Sequence, residues 1–170
     1  PYIEGAVFVQ RLWADGERHN PLGPLMPNST EQVVYANANR STDLAIFVDK
    51  GKVVLRDGLG AFELQIFLEE VLEISGGVAG EGAAGDIAAM WDGDQYVLVE
   101  SSDGDQHLVW VVLWSDEDGH YQFTKRIGSH ADNLGGKVLV ERIVVEGRSA
   151  TLLQIGGSVD AMVELAPSES

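Results

Sequence analysis

The sequence predicts an α+β domain: an antiparallel sheet of about four to six strands with packed helices and an N-terminal helical extension. Two observations carry this. Two pairs of β-branched and aromatic segments are each joined by a short glycine turn, Ser102-Asp103-Gly104-Asp105 in one case and Glu146-Gly147-Arg148 in the other. Strands joined so tightly must run antiparallel. Segments of helical period lie between and before these pairs, and no internal repeat points to a solenoid. With 170 residues, one domain is expected. We divide the chain into an N-terminal helical extension with a Pro-rich loop, 1–40, and a single α+β domain, 41–170.

In the extension, Tyr2, Ile3, Ala6, Val9 and Trp13 recur at helical spacing and predict a helix ending near Gly16. Gly16, Pro21, Gly23, Pro24 and Pro27 then break both helix and sheet. Ser29-Thr30-Glu31-Gln32 fits a capping box and predicts a short helix start. Leu44–Val48 and Val53–Leu55, around Asp49-Lys50-Gly51-Lys52, read as two strands or an irregular hairpin. Leu59 to Ile74 has Leu59, Phe62, Ile66 and Val71 along one side and stops at Ser75-Gly76-Gly77, where a helix C-cap belongs. A Gly- and Ala-rich connection, 76–85, leads to a short helix over Asp86 to Met90.

Asp94–Ser101 and His107–Trp114 form the strongest hairpin signal. In its second strand His107, Val109, Val111 and Leu113 alternate with Leu108, Trp110, Val112 and Trp114, so both faces of a central strand need cover. Ser115 is placed to cap a helix running to about Ile127, with Asp116, Glu117 and Asp118 in its first turn and Lys125 and Arg126 in its last, matching the helix dipole. Lys137–Val145 and Ser149–Ile155 form the second hairpin, and Val159–Leu165 is read as a closing short helix.

Composition excludes several functions. Eleven Lys and Arg against 27 Asp and Glu leave a net charge of −16, which repels phosphate backbones, so no nucleic acid partner is expected. The same acid excess suits a saline medium or a basic protein partner. With no Cys, disulfides, thiolate catalysis and cysteine zinc sites are ruled out. No apolar run reaches the roughly 20 residues that span a bilayer, so no direct membrane insertion is expected. The start PYIEGAVFVQ carries no basic signal-peptide region, and a first residue of Pro is expected to reflect processing, a chosen boundary or further residues upstream.

Asp92-Gly93-Asp94 and Asp103-Gly104-Asp105 each set two carboxylates around a glycine, as calcium loops do. Neither continues to an EF-hand's twelfth-position Glu, and Asp-Gly is also what a tight turn selects. Asp92, Asp94, Asp103 and Asp105 therefore stand as the metal candidates, with turn chemistry the plainer account. His19, His107, His120 and His130 are scattered, without HExxH or HxH spacing. No GxSxG nucleophile motif and no GxxxxGK[ST] phosphate loop is present. Glu63, Glu69, Glu70 and Glu73 fit a solvated helix face, and Trp91, Trp110 and Trp114 fit a core. No catalytic residue and no cofactor is assigned.

In order along the chain, PYIEGAVFVQRLWADG, STEQVVY, LGAFELQIFLEEVL, AAMWDGDQYVLVE and LVWVVLWSDEDGHYQF resemble the C-terminal portion of exported metallopeptidase-like proteins of bacteria and archaea. These stretches run from Tyr2 to about Ile127. In that group an upstream HExxH helix carries zinc, and no such motif occurs here, so neither zinc ligands nor a general base transfers to any residue of this sequence. The Pro-rich loop Glu17 to Pro27 also departs from the group's pattern. The resemblance implies a non-catalytic accessory or interaction domain with a protein partner, extracellular or at the cell surface. It leaves two alternatives: a structural subunit of a larger extracellular or membrane-associated assembly, or a fragment of a zinc peptidase whose catalytic helix lies outside this chain.

Overall fold

The structure, a computed structural model, describes residues 42–71 and 84–166, together with Gln10. The expected N-terminal helix, the Pro-rich loop, the capping-box helix and most of the Gly-rich connection lie outside the described residues. The fold is that of the unit Thr42–Ser170.

Among the described residues seven strands form two antiparallel sheets, confirming the α+β class. The strands are β1 Leu44–Val48, β2 Lys52–Asp57, β3 Trp91–Glu100, β4 Gln106–Trp114, β5 Val138–Val145, β6 Arg148–Ile155 and β7 Ala161–Leu165. Five lie in the order β2-β3-β4-β6-β5, and β1 pairs only with β7. Three α-helices are described: α1 Gly60–Ile66, α2 Ala84–Ala88 and α3 Glu117–Ser129.

β4 is central and its alternation sets the layers. Val109, Val111 and Leu113 pack with Val97, Val99, Ala150 and Leu152 against Leu44 and Ile46 of the β1–β7 ribbon. Trp110 and Trp114, one residue out of phase, meet the helical side, where Trp110 packs edge-on against Phe67 (centroids 5.3 Å) and Phe123 (5.7 Å). Both faces are thus covered, as the doubly apolar strand requires. Trp91, Trp110 and Trp114 are buried, as expected of core aromatics.

Two glutamines fasten the ribbon to the larger sheet. The Gln95 carboxamide on β3 accepts from Ile46 N (3.0 Å) and donates to Leu44 O (2.7 Å), while Arg56 donates to Ile46 O (2.7 Å). Gln154 on β6 treats Val159 in the same way, donating to its carbonyl (2.9 Å) and accepting from its amide (2.8 Å). A carboxamide carries the donor and acceptor of a peptide, so each side chain stands in for a neighbouring segment's backbone.

Of the two readings of 44–55, that of two separate strands holds and that of an irregular hairpin does not: β2 joins β3 and β1 crosses to β7. Three expectations need correction. The segment ending at Leu165 is a strand rather than a helix, because Ala161, Val163 and Leu165 alternate into the core while Met162 and Glu164 face outward. Asp116, rather than Ser115, caps α3, accepting from Asp118 N (2.9 Å) and Gly119 N (3.1 Å), and Ser115 Oγ donates to Met90 O instead. The helix expected from Leu59 is α-helical only over Gly60–Ile66 and widens into a π-helical turn over Phe67–Val71.

Candidate functional site

The four candidate aspartates fall at opposite ends of the β3–β4 hairpin, separated by about 30 Å of strand. No metal site joins them. Among the described residues, no three His, Asp or Glu side chains converge as a metal cluster would.

At the tryptophan end the register slips between Trp91 and Gly93, and this bulge aims successive side chains to different tasks. Asp94 accepts four hydrogen bonds: Gly60 N (2.9 Å) and Trp91 Nε1 (3.0 Å) to Oδ1, and Leu59 N (2.8 Å) and Trp110 Nε1 (2.8 Å) to Oδ2. A carboxylate has about four acceptor positions, so Asp94 is filled. It caps α1 from a distant strand, because Leu59 at the N-cap position offers no side-chain oxygen. Asp92 is buried and paired with Arg148, whose guanidinium also reaches Thr42 Oγ1. Between them Gly93 admits the Thr42 backbone, for a Cβ there would lie 2.0 Å from Thr42 O.

The same end holds a polar chain inside the helical layer. Trp114 Nε1 donates to Thr151 Oγ1 (2.8 Å), which hydrogen-bonds His120 Nδ1 (2.7 Å). Burial, aided by the Arg142 charge and opposed by Glu117, pushes the His120 pKa down. Thr151 is fully buried, so it supports the imidazole and is closed to substrate. His130 is tied to the end of α3 through Arg126 O (3.0 Å), and His19 lies outside the described residues.

At the turn end the second Asp-Gly-Asp is exposed. Gly104 takes φ 88°, a left-handed value the turn demands, and Ser101 Oγ donates to Asp103 Oδ1 (2.5 Å). That hydroxyl holds the Asp103 carboxyl below its usual pKa. The structure thus places Asp103 and Asp105 in turn geometry. Beside this turn lies a cleft of about 680 Å³ where three loops meet, lined by Lys50, Lys52, Ser102, His107, Ser158 and Asp160 among others. Sequence reading did not bring these residues together. They come from the β1–β2 turn, the hairpin and the β6–β7 loop, and only the ribbon's crossing makes them neighbours.

A second surface feature was also not anticipated. On the outer face of the ribbon Phe47 stands directly across from Met162, and they are 47% and 58% exposed. The shallow hollow beside them, about 460 Å³, is also lined by Asp49 and Asp160. Glu164 is exposed two residues along β7.

Comparison with known proteins finds no matching family model, no matching curated protein and no matching solved structure.

Proposed function

We propose that this chain is a non-catalytic domain that binds a protein partner through the outer face of the β1–β7 ribbon. The observation that supports this most is the exposed Phe47–Met162 pair. A ribbon with one face in the core ordinarily carries polar residues on the other. Here the outer face carries an aromatic and a methionine, the residue types enriched where proteins meet and adaptable to a partner's shape. Asp49, Asp160 and Glu164 around them favour a partner whose contact surface is basic. The aspartates with the most suggestive spacing serve the frame instead: Asp94 has four donors and Asp92 has Arg148. The setting we propose is an accessory domain of an exported metallopeptidase-like protein, at the cell surface or outside it, on the strength of the ordered sequence resemblance.

A photocrosslinking residue at position 47, introduced in the cells that make the protein, tests this reading. A discrete protein adduct is expected there and none from position 121, an equally exposed site on α3. The same adducts from both positions, or none from position 47, would remove the reading.

A further inference from the structure

The cleft at the turn end carries a separate inference. Lys50 and Lys52 flank Gly51 on its rim, and neither makes an ion pair among the described residues. By contrast Arg142 is paired with Glu117, Arg148 with Asp92, and Arg56 with Gln95 and Ile46 O. Ser102 and Ser158 add hydroxyls to the same hollow, and His107 forms part of its wall.

The walls are fixed before any ligand arrives. Gln154 holds both backbone groups of Val159, and the loop at Gly156 and Gly157 passes close against the imidazole. A Cβ on Gly156 would sit 2.7 Å from Gln106 O and 3.4 Å from His107 Nδ1. That nitrogen is buried with no hydrogen-bond partner among the described residues. Two lysines without an ion pair among the described residues and two serine hydroxyls, gathered in a preformed hollow, are what a site for a polar ligand presents.

Glu100 and Asp160 also line the cleft, and Glu100 lies directly across from Lys52 in the β2–β3 register. They balance the ammonium charge, so recognition rests on N–H and O–H donors at short range rather than on a wide positive field. This favours a compact anion over a polyanion. We infer that the cleft binds a small oxyanion, a carboxylate or phosphate group, held by Lys50, Lys52, Ser102 and Ser158.

The test is an amide ¹H–¹⁵N titration of the full chain with sodium phosphate and, in a second arm, sodium acetate, each against sodium chloride of matched ionic strength. Saturable shifts at Gly51, Ser102 and Ser158 are expected in at least one arm. The arm that saturates at lower concentration identifies the group. The double variant Lys50→Met/Lys52→Met should weaken binding about tenfold or more, and Ser158→Ala about threefold, with hairpin dispersion unchanged. Shifts that stay linear, that chloride reproduces, or that the double lysine variant leaves as tight as before would overturn the inference.

Discussion

The two ends of the β3–β4 hairpin carry the same tripeptide and use it in opposite ways. Asp92-Gly93-Asp94 lies at a bulge against the core, where Asp92 meets Arg148, Gly93 meets the Thr42 backbone, and Asp94 binds two amides and two indoles. Asp103-Gly104-Asp105 lies in water, closing a turn with a local Ser101–Asp103 bond and a left-handed glycine. A carboxylate pair spaced around glycine has no fixed meaning. Its surroundings decide whether it is a joint or a bend, because only a desolvated carboxylate must have all its acceptors filled.

The contrast predicts a graded set of losses. Asp94→Ala strips the cap from α1 and leaves two buried indole N–H groups unpaired, and should cost about 4 kcal/mol or leave the chain unfolded, by urea denaturation. Gly93→Ala forces the Thr42 backbone aside and should cost about 3 kcal/mol. Arg148→Met leaves Asp92 buried without its cation, at about 2 kcal/mol, and Asp92→Asn beside it should recover part of the loss in a double-mutant cycle. At the other end Gly104→Ala should cost about 1 kcal/mol through its left-handed backbone alone. Asp103→Asn should leave the urea midpoint within error. Equal losses at the two ends would break the comparison.

Acid should separate the ends as well. Burial holds His120 below its usual 6.5, so the unfolded chain binds the proton first. Stability from this group is complete above about 6.5 and falls as the pH drops through that value toward the lower folded one. His120→Gln should flatten this stretch of the stability profile. Asp103 is held below 3.8, so its contribution is present above that value and fades only at lower pH, as the folded carboxyl protonates. Its full exposure keeps that contribution small. Urea midpoints across the pH range check both windows.

What could be read in the sequence follows from where the information sits. The β3–β4 and β5–β6 hairpins were predictable because turn and alternation are local, and the doubly apolar β4 correctly demanded two cover layers. β1 and β2 were recognisable as strands, but their partners lie about 40 residues or more away, and a three-residue turn gave no hint that they would part. β7 carried a period-2 signal in Ala161, Val163 and Leu165 that a helical reading of so short a segment overrode. The aspartates were singled out, yet their roles were hidden, since nothing local says that Asp94 will meet the amide of Gly60 or that Arg148 will reach Asp92. The cleft residues come from three separate loops and become a set only through the ribbon's crossing.

The most direct test of the account is the indole N–H region of the ¹H–¹⁵N spectrum, which reports the four tryptophans one by one. In Asp94→Asn the Trp91 and Trp110 indole signals should move and lose protection from exchange, while Trp114, bound to Thr151, keeps its place. In Asp103→Asn none should change. Indole signals untouched by Asp94→Asn, or moved as far by Asp103→Asn, would contradict the claim that the first Asp-Gly-Asp is the joint of this fold and the second only its bend.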